Sequence, residues 1–232
     1  MSTSIDKYIY VTVNKKFDSD IRLSYSLTEN ESSAKQIKHP IVRNALSFLG
    51  IERGIEITSI SDIPSHGSGL GSSSSYTVAL LHALYSYQGK SISKEELGRL
   101  SSYIEIDLCG DNIGKQDQYA ASFGGLNLIK FNEDDSVEVS PIICKPETIL
   151  RMEESILVFY TGRTRSASSL LNDLSENMKR PRKRALMSDM VSIAYEMKDL
   201  LENNDVDFVG ELLDKNWKLK RQMTLGISDA QI

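Results

Sequence analysis

The sequence predicts a chain of mixed strands and helices in two units. Two patterns carry that reading. Ile21, Leu23, Tyr25 and Leu27 alternate with polar residues, the period of two of a half-buried strand. Leu186, Met190, Ile193, Met197 and Leu200 recur at helical spacing. A boundary is expected between Pro141 and Glu154, dividing the chain into 1–152 and 153–232.

The elements follow in order. Ile5–Val13, rich in Ile, Val, Thr and Tyr, reads as a strand, and Ile21–Thr28 as a second. A helix is expected from Pro40 to Leu49, since proline suits the first helical position, with Gly50 as its stop. Gly54–Ile60 is a short strand. Ser73–Tyr87 is nearly apolar all round, the mark of a buried helix, with His82 as a satisfied core histidine. Ser93 and Glu96 form a capping box that opens a helix whose stripe is Leu97, Leu100, Ile104 and Leu108. Leu126–Phe131 is a strand, Asn132–Ser136 a polar turn, and another strand lies near Val137. Ile156–Tyr160 would be the first strand of the second unit. The Leu186 helix is then broken by Asn203-Asn204-Asp205 and followed by a helix carrying Val209, Leu212 and Leu213, most simply as an antiparallel pair.

Composition excludes several function classes. Hydrophobic residues make up 40% of the 232 positions, enough for a sizeable core and against a disordered chain. The net charge of -5 gives no general field for nucleic acid or an anionic membrane. The basic run Lys179–Arg184 is read as a solvated connection, because it has no interleaved aromatics. No apolar run is long enough to span a membrane, and no export signal opens the chain, so a cytoplasmic protein with reduced Cys109 and Cys144 is expected. The three histidines match no metal-binding spacing.

The most informative stretch is Pro64-Ser65-His66-Gly67-Ser68-Gly69-Leu70-Gly71-Ser72-Ser73-Ser74-Ser75, between a strand and a buried helix. Glycines let backbone approach a ligand closely. Successive N–H groups and the positive end of the following helix suit phosphate. The spacing matches neither the P-loop nor the dinucleotide fingerprint, so by spacing alone a flexible Gly/Ser loop is the competing reading.

The spelling G-L-G-S-S-S of Gly69–Ser74, preceded by Pro64 and entering a helix, resembles the second motif of the GHMP kinases. Gly114-Lys115-Gln116-Asp117-Gln118-Tyr119-Ala120-Ala121 resembles the segment holding that family's catalytic aspartate. Ser122–Asn127 and Tyr160–Ser166 are similar to the sugar-kinase branch that contains D-glycero-D-manno-heptose 7-phosphate kinase. The resemblance implies an α+β fold of two domains: an N-terminal one with a left-handed β-α-β unit, and a partial ferredoxin-like C-terminal one.

It also implies roles. Pro64, Gly67, Ser68, Gly69, Leu70, Gly71, Ser72, Ser73 and Ser74 would wrap the phosphates of ATP. Ser73 and Glu105 would hold Mg²⁺. Asp117 would accept or orient the substrate hydroxyl proton; otherwise it is a turn-forming aspartate. Gly124, Gly125, Arg163 and Arg165 would face a sugar or sugar phosphate, the arginines alternatively lying in a surface loop. At about 100° per residue, Glu105 and Asp107 fall on opposite flanks of the Leu97–Leu108 stripe, so Glu105 is assigned to metal and Asp107 to structure. Lys115 either lowers the Asp117 pKa, contacts substrate phosphate, or is simply solvated.

The family's first motif has no counterpart before Ser2–Lys7, and Thr224–Ser228 resembles the segment shortly before its third. The resemblance therefore implies the middle of a kinase, an N-terminal domain lacking the first motif and a C-terminal domain cut before the third. Three functions stay open: an ATP-dependent heptose 7-phosphate kinase, a kinase for fucose, galactose or another small molecule, and a non-catalytic nucleotide-binding remnant. Oligomeric state is not readable.

Overall fold

β-branched residues at alternate positions draw Ile9–Lys15 (β2) and Ile55–Ser61 (β5) into an antiparallel pair, with Val13 opposite Ile57 and Val11 opposite Ser59. The computed structural model describes residues 1–63, 69–159, 173–174, 176–224 and 227. Its contacts divide the chain into two compact units, Thr3–Gly125, and Met1–Ser2 with Leu126–Ile232. By contact, the β-hairpin that begins at Leu126 groups with the second unit.

In the Thr3–Gly125 unit the sheet order is β2, β5, β3 (Ile21–Ser24), β4 (Thr28–Glu31). β3 lies parallel to β5, Leu23 facing Ile57. The path between them passes through β4, a 3-10 turn at Ala34–Gln36 and α1 (Pro40–Phe48), which makes a β-α-β unit. The period-two pattern of Ile21–Thr28 does not make one long strand. The chain reverses at Tyr25–Leu27, where the Tyr25 amide donates to the Leu27 carbonyl, and β4 returns antiparallel. Alternation persists through a tight reversal and therefore hides it.

α2 (Ser72–Tyr87) packs on β2 and buries Val78, Leu80, Leu81 and Leu84 with Leu23, Ile55 and Ile57. It is not apolar all round: His82 is exposed, so it is no core histidine. α3 (Lys94–Ser102) opens on the expected cap, the Glu96 amide donating to Ser93 Oγ at 3.2 Å. Residues Tyr103–Leu108 continue it as a π-helix, seen in the Cys109 amide bonding to the Ile104 carbonyl. The wider turn breaks the 3.6-residue stripe. Leu97, Leu100 and Ile104 stay in the core, while Leu108 is swung to the surface.

α4 (Gln116–Phe123) lies close against α3. Gly98 allows this: a Cβ there would stand 3.0 Å from both Ser122 Oγ and Tyr119 Cδ1. The sheet and α1–α3 share one core that includes Ile104, with Ala121 of α4 packed against it.

The second unit holds the hairpin β6 (Leu126–Phe131) and β7 (Val137–Pro141), paired Ile129 to Val139, in a sheet of order β1-β6-β7 with β1 at Ser2–Thr3. α5 (Pro146–Ser155) follows the hairpin, with Pro146 in its first turn. Ile156–Phe159 makes no strand; these four side chains are 53–82% exposed, because no strand edge among the described residues receives them. α6 (Pro181–Glu202) and α7 (Val209–Lys220) pack as the expected helical pair. The basic run is a correction: Pro181–Arg184 form the first turn of α6 rather than a connection ahead of it. Asn204, at φ 61, turns the chain between α6 and α7, and its side-chain oxygen accepts from Thr148 Oγ1 at 2.8 Å. No helix among the described residues is long and apolar enough to cross a membrane.

Candidate active site

Four serines in succession open α2; the Ser75 amide closes the first helical bond on the Gly71 carbonyl at 2.9 Å, and the amides before it belong to the first turn, where helix donors point along the axis. Gly71 precedes them at φ 69, in the left-handed region where glycine is free of strain. Its missing side chain matters as much: a Cβ at Gly71 would stand 3.4 Å from the Asp117 carboxyl carbon and Oδ2. The start of α2 and the first turn of α4 thus meet at backbone-to-carboxyl distance.

Asp117 is exposed to solvent, yet partial burial of its carboxyl raises the pKa above the ordinary 3.8. The direction is opposite to the lowering that Lys115 was one candidate to cause. A carboxylate made more basic and left accessible is suited to take a proton.

Behind it lies a buried polar line. Glu105 is 0% exposed. Ser73 Oγ donates to its Oε1 at 2.7 Å, and Gln118 Nε2 donates to its Oε2 at 2.5 Å. Asp107, two residues on, is exposed, and Asp111 is an exposed residue whose amide bonds the Glu105 carbonyl. No Lys or Arg ion pair reaches Glu105 among the described residues. A buried carboxylate without a cation is costly, and a divalent ion would supply the missing charge. The donor set fits Mg²⁺: carboxylate and hydroxyl are hard oxygens, and Mg²⁺ is commonly held by one or two carboxylates plus substrate phosphates. The described residues contain no cluster of three or more His, Cys, Asp or Glu, so substrate oxygens would have to complete the shell.

Beside Ser72 and Ser73 opens a cavity of about 740 Å³. Tyr25, Leu27, His39, Ile60, Ile63 and Tyr76 form much of its wall. The His39 ring lies edge-on to Tyr25 at 5.0 Å and tilted to Tyr76 at 5.3 Å. Glu29 anchors this corner, accepting from the Lys38 amide at 2.6 Å, Tyr25 Oη at 2.9 Å and the His39 amide at 3.3 Å. Burial works against ionisation of Glu29, but these donors hold its carboxyl below the ordinary value. The Tyr76 hydroxyl is buried without a hydrogen-bond partner among the described residues, and burial raises its pKa.

The structure brings Gly71, Ser72, Ser73, Glu105 and Asp117 together; Ser74 is buried one residue further along α2, and Gly69 and Leu70 are exposed on the approach to Gly71. Gly124 and Gly125 lie at the other end of α4, at φ 68 and 74, where Gly124 caps the helix. Pro64, Gly67, Ser68, Arg163 and Arg165 lie outside the described residues. Sequence reasoning missed Gln118 and the Tyr25–His39–Tyr76 wall. Gln118 had one signal, its place beside Asp117; the three rings come from separate elements with no shared spacing.

Residues 36–125 match the family model for the GHMP kinases N terminal domain. The D-glycero-alpha-D-manno-heptose 7-phosphate kinase of Campylobacter jejuni is 27% identical over 244 residues, covering all of this chain and 72% of that protein. A bifunctional fucokinase/GDP-fucose pyrophosphorylase of Arabidopsis thaliana is 28% identical, over 79% of this chain and 18% of its own length. Among solved structures, a D-glycero-D-manno-heptose 1-phosphate kinase from Bacteroides thetaiotaomicron superposes with a TM-score of 0.74 at 24% identity, covering 97% of this chain and 71% of that one. Streptococcus pneumoniae phosphomevalonate kinase gives 0.77 at 15% identity, covering 97% and 74%. At these identities the structural likeness speaks for the fold alone: α+β, of the GHMP kinase type. Residues 36–125 thus carry a GHMP kinases N terminal domain, and over its whole length the chain is similar to a heptose phosphate kinase.

Proposed function

We propose that this chain catalyses transfer of the γ-phosphoryl group of ATP to a hydroxyl of a sugar or sugar phosphate, with a heptose 7-phosphate as the leading acceptor. One observation carries the reading. A basic, accessible Asp117 stands against Gly71, at the start of a helix whose Ser73 hydroxyl is bonded to the buried Glu105.

Each part has a task. The α2 first-turn amides and the Gly69–Ser74 backbone would receive the phosphates, since helix N-termini favour anions. The apolar, ring-lined cavity beside Ser72 suits the adenine base, and its volume is of the order used for small ligands. Ser73 and Glu105 would hold Mg²⁺, which supplies neutralisation of phosphate charge. Asp117 takes the proton of the acceptor hydroxyl as that oxygen bonds to the γ-phosphorus and the bond to ADP breaks. Phosphoryl transfer asks mainly for positioning, which two carboxylates on adjoining helices provide. The heptose preference rests on the similarity to the Campylobacter jejuni protein. Arg163 and Arg165 are proposed for the acceptor phosphate, and Gly124 and Gly125 for the floor of the acceptor site. We place the protein in the cytoplasm and its domain boundary near 152/153.

The test is a panel of acceptors (D-glycero-D-manno-heptose 7-phosphate, fucose, galactose, mevalonate) with ATP and Mg²⁺, read as ADP release and product mass. Turnover with the heptose phosphate above the others is expected. Tight ATP binding with no turnover on any acceptor would replace the kinase by a nucleotide-binding protein.

A further inference from the structure

Gln118 is 0% exposed, and its amide is used on one side only. Nε2 donates to Glu105 Oε2 at 2.5 Å, while Oε1 is buried with no hydrogen-bond partner among the described residues. Buried acceptors are normally satisfied, and one left bare works against stability. An apolar side chain of similar volume would fill this place in α4 without that defect. The packing between α3 and α4 therefore does not call for an amide here, whereas Glu105 does. A carboxylate inside the protein needs donors, and among the described residues Ser73 Oγ and Gln118 Nε2 donate to its side chain. Ser73, however, is exposed, and its hydroxyl rotates freely enough to serve a ligand instead. The Gln118 amide is the fixed donor.

Sequence position adds a second consequence. Gln118 follows Asp117 in the first turn of α4, the one turned inward and the other toward Gly71. A bond from Gln118 to Glu105 fixes that turn against the π-helical turn at Tyr103–Leu108. We infer that Gln118 is a positioning residue that holds the Glu105 carboxylate in the orientation a metal–nucleotide complex requires and ties it to the turn carrying Asp117. The inference rests on the kinase reading, with Glu105 as metal ligand. Partners that orient a ligand typically influence metal affinity ten- to a hundredfold when removed.

The experiment uses Mn²⁺ as probe. Its binding to the chain with a non-hydrolysable ATP analogue is followed by electron paramagnetic resonance, alongside thermal melting and analogue binding without metal. Gln118→Leu is expected to weaken Mn²⁺ binding about tenfold or more, with melting temperature unchanged or raised and metal-free analogue binding unchanged. Gln118→Asn, which keeps the amide but shortens its reach, is expected to weaken Mn²⁺ likewise, and it serves where the leucine variant fails to fold. Because Gln118 acts through Glu105, adding Gln118→Leu to Glu105→Gln is expected to cost no further affinity. Mn²⁺ affinity equal to the parent's in both single variants, or a further tenfold loss in the double variant, overturns the inference. A parent chain that binds no Mn²⁺ with the analogue overturns the kinase reading and this inference together, a different result from a parent that binds and variants that match it.

Discussion

The two compact units handle buried chemistry in opposite ways. In Thr3–Gly125 a broad core of Ile, Leu and Val from the sheet and α1–α3 surrounds fully buried polar groups, Glu105 and Gln118 among them. In the unit beginning at Leu126 the buried cluster among the described residues is built on Ile142, Ile193, Met197, Leu201 and Leu212, while the apolar Ile156–Phe159 is left in solvent. A buried carboxylate and an unsatisfied amide oxygen are tolerable only where surrounding packing offsets their cost. The candidate site lies in the unit that has such packing.

The largest effect that would sharpen this contrast is functional. Asp117→Asn is expected to lower turnover by about a hundredfold to ten-thousandfold. The pH profile should show its acid limb above 3.8, because the raised carboxyl must lose its proton to act as base. Stability runs the other way. Between 3.8 and the raised folded value the native state holds more protons than the unfolded one, so stability falls as pH rises through that window. Asparagine removes that loss, so Asp117→Asn should melt no lower than the parent at neutral pH. A clear drop in melting temperature would instead make Asp117 a structural residue.

Next in size is a pair of core truncations. Leu46 and Leu201 are both 0% exposed, one in each unit. Leu46→Ala should cost about 4–5 kcal/mol and Leu201→Ala about 2–3 kcal/mol, because a thin helical pair can collapse around the lost volume better than a sheet-backed core. Denaturant unfolding checks this, and equal losses would break the comparison. Smallest is Ser93→Ala, which removes the α3 cap and should cost about 1 kcal/mol in the same measurement without changing turnover.

Much of the fold was legible because its cues are local. Pro40 and Gly50 bracket α1, Ser93 and Glu96 open α3, and Leu126–Phe131 is a strand to the residue. The errors fall where a local pattern serves two conformations. Alternation continued past Tyr25 through a turn. The Ile156–Phe159 run has the composition of a strand but no edge to join among the described residues. Leu108 left its stripe because the helix there is π rather than α. At the site, glycine and serine spelling singled out the phosphate loop. Gln118 and the ring wall stayed hidden, since nothing in a linear pattern pairs Tyr25, His39 and Tyr76.

The sequence by itself determined most element types, the α3 cap and the family motifs, because propensity, capping and motif spelling act over a few residues. Tertiary structure alone decided that Glu105 is buried against Gln118, that Asp117 stands under Gly71 with a raised pKa, and that a ring-lined cavity opens beside Ser73. Desolvation and hydrogen bonding depend on which distant segments pack together, and that is set only when α2, α3 and α4 close on one another.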